Sequence, residues 1–265
     1  MAPTYLDTIV DTHRSRAAKD ARDWRERVDV VHYEGPSFAD ALRSTNNPNV
    51  AVIAEVKRRS PSKGWIDEHL DVAALATAYE KGSASAVSVL TDNDYFAGSP
   101  KDVARVREVS TLPILRKDFT VCENDVLDAA QMGASAVLLI VAVLRDEELT
   151  SFLRLAHACG IDALVEVHDA TEGRRALDAG ARIIGVNQRD LRSFEVDPRK
   201  AAEVVDSLDG EFTRVAESGM TSVDDVVRAA QAGFDAVLVG EAFVRTPDTS
   251  DLVHDFASVP RVPRG

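Results

Sequence analysis

Charged residues end apolar runs in this chain again and again. Val50-Ala-Val-Ile-Ala54 leads straight into Glu55, Val56 and Lys57, then into the basic loop Arg58-Arg-Ser-Pro-Ser-Lys-Gly64. A short apolar run bounded by turn residues suits a strand buried on both faces. Such a strand has no structural use for a glutamate and a lysine at its end. Burying either charge unpaired is costly, so they face a site, each other or a bound anion. Later runs end alike: one in Ser88 and Thr91, one in Arg116, Lys117, Asp118 and Phe119, one in Glu166 and His168. Others end in Asn187, Arg189 and Asp190, in Glu217, Ser218 and Gly219, and in Gly240 and Glu241. Glu166 stands between Val165 and Val167, and a period of two points it away from both, toward an interior or a mouth.

Taken singly, each residue has a bland reading. Lys117 could pair with Asp118 at the surface, and Asn187 and Arg189 could be loop residues. His168 and His157 read as structural or solvated, and Asp92 and Asp94 as a solvated loop. The set argues otherwise: two lysines, at least two glutamates, an asparagine and an arginine converging on one mouth describe acid–base chemistry on a polar substrate. Ser218-Gly219 and Val239-Gly240 add a second constellation. Glycine lets backbone N–H groups approach a phosphate closely, Lys57 and Ser60 could add a charge and a hydroxyl, and Glu-Ala-Phe-Val-Arg after Gly240 reads as a short helix.

These residues need elements to hold them. A helix-like segment ending in Gly, then small residues, then an apolar run, recurs at Gly82, Gly133, Gly160, Gly180 and Gly233. The glycine suits a left-handed helix C-cap, and the apolar runs suit parallel strands buried on both faces. With the run near Val50, and those at 112–115 and 212–216, there are eight strands. Helical spacing fills 71–81, 101–109, 123–132, 146–159, 170–179, 199–207, 222–232 and 248–257. Eight alternating units predict one α/β domain over 1–265, a single (β/α)8 TIM barrel, with an open doubly wound sheet as the alternative. Residues 1–46 form an N-terminal helical extension. A helix over 5–27, with Leu6, Ile9, Val10, His13 and Ala17 on one face, caps the barrel bottom or flanks the site. Residues 259–265 read as a flexible tail.

Composition narrows the function classes. The 265 residues are 45% apolar and 28% charged, with net charge −13. That balance argues against nucleic acid or an anionic membrane as the main partner, while a local basic pocket can still take a small anion. Cys122 and Cys159 carry no partner motif, so neither a disulfide framework nor a zinc site is expected. No secretory signal is visible, and the longest apolar run, 136–144, is too short to span a bilayer. The expectation is a soluble cytoplasmic protein.

The motifs together resemble the indole-3-glycerol phosphate synthase family over nearly the whole chain from about residue 35. They are Glu55-Val-Lys57-Arg-Arg-Ser60-Pro-Ser-Lys-Gly64, Val87-Ser-Val-Leu-Thr91, Leu115-Arg-Lys117-Asp-Phe119, Leu164-Val-Glu166-Val, Gly185-Val-Asn187-Gln-Arg189-Asp-Leu191, Ala216-Glu217-Ser218-Gly219 and Val239-Gly240-Glu-Ala. The N-terminal helix is also a family feature. The resemblance implies a tryptophan-pathway lyase that needs no metal and no organic cofactor. It would act on 1-(2-carboxyphenylamino)-1-deoxyribulose 5-phosphate, closing the pyrrole ring with loss of CO2 and water. By similarity Lys117 is the general acid and Glu166 the base. Lys57 would contact phosphate or the anthranilate carboxylate and share acid duties. Glu55 and Glu217 would hold the lysines and the reacting hydroxyl, and Asn187 and Arg189 would orient Glu166 and the substrate. Ser218 joins the substrate contacts; Ser60, Gly219 and Gly240 would hold phosphate; Phe119 and Leu138 would stack on the anthranilate ring. A monomer is expected, with at most weak association with other tryptophan-pathway enzymes.

Two departures stand out. Glu241 follows Gly240 where some family members place a small hydroxyl residue. Cys122-Glu-Asn-Asp125 is polar where many carry an aromatic residue and Gln. The rival readings are another sugar-phosphate barrel, such as an isomerase or a Schiff-base aldolase, and a non-catalytic subunit. The Glu-Ser-Gly and Val-Gly-Glu motifs are shared with other phosphate-binding barrels.

Overall fold

The computed structural model describes residues 4–43, 48–61, 63–189 and 196–262. Eight parallel strands, Ala51–Val56, Ala86–Leu90, Ile114–Lys117, Ala136–Ile140, Asp162–Val167, Ile183–Asn187, Thr213–Glu217 and Ala236–Val239, pair in chain order. The eighth then pairs with the first, Ala51 opposite Ala236. Closure excludes the doubly wound alternative. Helices Val72–Lys81, Pro100–Val109, Glu123–Gln131, Asp146–Ala158, Ala170–Asp178, Pro198–Asp206, Val223–Gln231 and Thr249–Ala257 follow the strands in turn. Asp71, Ser99, Asp169, Asp197 and Ser222 cap five of them by accepting first-turn N–H groups.

The period of two along each strand sorts the core. Ala51, Ile53, Ala86, Leu115, Ala136, Leu138, Ile140, Leu164, Ile183, Val215, Ala236 and Leu238 fill the barrel interior. Their neighbours Val52, Ala54, Val87, Val137, Val165 and Val237 pack outward in the other core cluster, under the helices. Continuing the inward series toward the C-terminal strand ends reaches Glu55, Lys117, Glu166, Asn187 and Glu217. Register then sets them side by side, with Leu90 opposite Lys117, Ile140 opposite Glu166 and Asn187 opposite Glu217.

The N-terminal extension divides its work between the two barrel ends. Helix Tyr5–Ala17 lies at the mouth and stops well short of residue 27. There the Asp20 carboxylate takes the Arg22 N–H and guanidinium, and Asp23 caps a separate short helix, Trp24–Val28. Such local bonds compete with helix continuation. Helix Phe38–Arg43 closes the bottom by inserting Phe38 and Leu42 into the inner core. The tail is tied down where looseness was expected: Val50 N–H donates to the Val259 carbonyl, Asn49 bridges Pro260, and Arg261 N–H donates to Pro48. Residues 263–265 lie outside the described residues.

Gly133, Gly160, Gly180 and Gly233 take the expected left-handed conformation. Gly82 does not. Ser83 carries the positive φ, 67°, and Gly82 serves close packing, because a Cβ there would lie 2.6 Å from the Ser250 carbonyl oxygen and from Val253. Two unpredicted elements sit at the mouth: a hairpin of Arg59–Ser60 with Gly64–Trp65, and helix Asn93–Phe96.

Candidate active site

A cavity of about 690 Å³ opens at the C-terminal ends of the strands. Its lining contains Glu55, Lys57, Ser60, Lys117, Phe119, Leu138, Glu166, Asn187, Arg189, Glu217, Ser218, Gly219 and Gly240. Every site residue expected from the sequence therefore lies on one surface. Asp190 and Leu191 of the sixth-strand motif lie outside the described residues.

Lys117 is the hub. Its Nζ lies 3.0 Å from Glu166 Oε2 and 3.3 Å from Glu217 Oε2. The bland pairing of Lys117 with Asp118 does not occur: Asp118 bonds Arg116 at 3.1 Å and accepts from Thr91 Oγ1. Burial pulls the Lys117 pKa down, but the charges of Glu166, Glu217 and Glu55 outweigh it and hold the ammonium above its ordinary value. Glu166 is also opposed by burial, which raises its pKa. The charges of Lys117 and His168 and the Asn187 hydrogen bond at 3.2 Å bring it down to about 2. Glu217 goes the other way. Burial, against the pull of Lys117 and with the added push of Glu166, raises it to about 8. The two carboxylates share one ammonium, and Glu166 has the helpers. The floor thus holds a charged lysine, an ionised glutamate and a second carboxyl that keeps its proton near neutrality.

Neighbouring groups fix these side chains. Asn187 Oδ1 accepts from Ser218 Oγ at 2.9 Å and from Arg189 N–H at 3.1 Å, which turns its amide toward Glu166. That contact accompanies the left-handed backbone of Ser218, φ 68°, a strained state for a residue with a side chain. A Cβ on Gly185 would lie 1.9 Å from Glu217 Oε1, so only glycine leaves room for that carboxylate. Lys57 Nζ bonds Glu55 Oε1, and a Cβ on Gly240 would lie 2.6 Å from the same oxygen. Gly240 therefore makes room for the Glu55–Lys57 pair as well as opening the cavity wall.

The rim holds the departures. Glu241 accepts from Lys63 at 3.3 Å and from Arg245 at 3.0 Å, so it occupies the two cations beside Gly240. Cys122 and Asp125 begin helix Glu123–Gln131; Asp125 takes the N–H groups of Val121 and Cys122 and steadies the turn after Phe119. Phe119 itself packs against His13 and Phe96, ring centroids 5.3 and 6.3 Å apart.

Sequence reasoning missed some groups. Tyr5, Leu6 and Ile9 line the cavity; the face carrying Leu6 and Ile9 was visible, and of its two expected places, the barrel bottom or the site, the helix takes the second. Asp92 is buried rather than solvated: it caps helix Asn93–Phe96 and lies 2.9 Å from His13 Nε2. Among the described residues, His13, Asp92 and Asp118 have side-chain oxygens and nitrogens close enough to hold a metal ion. Their oxygens are already engaged by His13, Thr91, Arg116 and the N–H groups of Tyr95, Phe96 and Phe119, so the trio ties the N-terminal helix to the mouth. Ser88, expected at a strand end, lies in the middle of the second strand, fully buried and outside the cavity lining.

A closed (β/α)8 barrel with an acid–base pocket at its catalytic face defines the class. Solved structures agree on the fold: thiamine phosphate pyrophosphorylase from Pyrococcus furiosus superposes with TM-score 0.59 at 16% identity, over 79% of this chain and 94% of that one. N-acetylmannosamine-6-phosphate 2-epimerase from Clostridium perfringens does so with TM-score 0.58, also at 16% identity, over 80% and 92%. The family follows from sequence. The indole-3-glycerol phosphate synthase family model matches residues 6–256. The enzyme of that name from Micrococcus luteus is 51% identical over 91% of this chain and 92% of its own. That from Acetivibrio thermocellus is 39% identical over 96% and 99%. The chain belongs to the indole-3-glycerol phosphate synthase family. No described helix is long and apolar enough to cross a membrane.

Proposed function

We propose that the cavity closes the pyrrole ring of 1-(2-carboxyphenylamino)-1-deoxyribulose 5-phosphate, releasing CO2 and water and yielding indole-3-glycerol phosphate, a step of tryptophan biosynthesis. The observation that carries this reading is the raised, fully charged Lys117 facing the ionised Glu166 across the floor of the cavity.

The chemistry asks for those two groups. The ring carbon bearing the carboxylate attacks the ketone, whose oxygen takes a proton from Lys117. CO2 leaves and the ring regains its electron pair. The new hydroxyl departs as water after a second protonation, and Glu166 removes one C–H proton to give the indole. Two protons are delivered and one is removed, and no electron acceptor is required. Lys57, beside Glu55, supplies a cation for the substrate's anionic groups. Glu217, protonated near neutrality, hydrogen-bonds the reacting oxygen. Asn187, Arg189 and Ser218 orient Glu166 and the substrate. Phe119 and Leu138 flank the aryl ring, and Ser60, Gly219 and Gly240 receive the phosphate. The Schiff-base alternative needs a lysine whose pKa is lowered, and three carboxylates raise that of Lys117. We expect the protein to act as a monomer in the cytoplasm.

The test is product fluorescence on mixing the purified protein with the ribulose phosphate in EDTA. Indole emission at the rate seen without chelator is the expected result. A folded protein that binds this substrate and produces no indole refutes the reading, and loss of activity with EDTA alone refutes the cofactor-free mechanism.

A further inference from the structure

His168 follows Glu166 by two residues at the end of the fifth strand, and its ring is held between two glutamates. Nδ1 lies 3.1 Å from Glu172 Oε2, and the His168 backbone N–H donates to the same oxygen at 2.8 Å. Glu172 stands in the first turn of helix Ala170–Asp178, so the strand-to-helix turn fixes its position. On the other side Nε2 lies 3.5 Å from Glu166 Oε1, buried and with no hydrogen-bond partner. A buried ring nitrogen left unpaired next to a carboxylate calls for an explanation.

The tautomer supplies it. With Nδ1–H given to Glu172, a neutral imidazole turns the Nε2 lone pair toward the ionised Glu166, and the two repel. Protonation at Nε2 reverses the contact and makes it a charge-assisted hydrogen bond. We propose that His168 is a positioning residue that sets the basicity of Glu166: as imidazolium it ties up the carboxylate and slows proton removal, and as neutral imidazole it leaves Glu166 a free and stronger base. The proposal rests on the reading of Glu166 as the base. His168 is outside the cavity lining, so it acts through Glu166 and not on the substrate.

The charged groups around the ring are Glu166 on its own strand, Glu172 on the following helix, Glu217 on the seventh strand and, beyond the carboxylates, Lys117 on the third. Burial lowers the proton affinity of His168, but the hydrogen bond to Glu172 and the charges of Glu166 and Glu172 raise it above the ordinary histidine value. Glu166, held down to about 2, stays ionised far below this range. An acid limb in turnover between pH 5.5 and 7 therefore belongs to His168.

The experiment is the pH profile of kcat for the intact enzyme and for His168→Gln. Turnover is read at saturation because the substrate phosphate, titrating near 6, shapes kcat/KM. For a group at or above about 6.5, kcat of the unmodified enzyme falls roughly eightfold or more between pH 7 and 5.5. In His168→Gln the two values should agree within about twofold. Glu172→Gln, which removes the carboxylate holding Nδ1–H, should move the limb to lower pH, and it carries the test if His168→Gln does not fold. A merely structural histidine would lower kcat equally at every pH. An unchanged limb in both variants, while Glu166→Gln loses turnover, overturns the role of His168 alone. Full turnover in Glu166→Gln overturns the base assignment and the proposal with it.

Discussion

Replacing Glu217 by glutamine isolates the least favourable charge at the floor of the cavity. The side chain is 2% exposed, and burial is the main reason its pKa rises from 4.5 to about 8. A carboxyl whose pKa is higher in the folded than in the unfolded chain binds its proton more tightly when folded. Its contribution to stability is full below pH 4.5, is lost as the pH climbs from 4.5 through about 8, and is level beyond. At about 1.4 kcal/mol per pKa unit the loss reaches ~3 kcal/mol at pH 7. Glutamine has nearly the same shape and no charge to lose. The loss is only ~1 kcal/mol at pH 5 and grows to ~4 kcal/mol at pH 8, so Glu217→Gln should lie within a few °C of the unmodified protein at pH 5 and exceed it by roughly 8–16 °C in Tm at pH 8, at about 2–4 °C per kcal/mol for a chain of this size. Thermal melts at pH 5, 6, 7 and 8 read this directly. A Tm difference that does not grow between pH 5 and 8 would refute the burial argument. Turnover should meanwhile fall, because the variant exchanges a proton-bearing carboxyl for an amide; groups tuned for chemistry are often unfavourable for stability.

Three further outcomes follow from the same contacts. Lys117→Ala should abolish turnover while sparing substrate affinity, measured by quenching or calorimetry, and near-normal turnover would end its role as the acid. Glu166→Gln should slow kcat by about 10²-fold or more, the usual span for a lost acid–base group, with KM little changed. Glu241→Ser should lower KM by releasing Lys63 and Arg245 toward the phosphate; an unchanged or raised KM would show that Glu241 does not compete with it.

The barrel was legible because its rule is local. Apolar runs of about five residues, each followed by a helical period, repeat along the chain, and only closure remained to be found. Glu166 was legible for the same reason: its inward direction follows from Val165 and Val167 on either side. Contacts made between distant segments left no such trace. His13 and Asp92 meet across 79 residues, so the helix face carrying Ile9 and His13 announced burial without deciding between the barrel bottom and the site. Gly185 read as one more residue of an apolar run, yet the carboxylate 32 positions later needs the space it leaves. His168 shows the limit most clearly. A histidine near a strand end reads as solvated, and only the placement of Glu172 and Glu166 on its two sides gives each ring nitrogen a separate task. Residue type and period announce which groups face the mouth; which of them holds a proton depends on burial and on partners that the fold alone assembles.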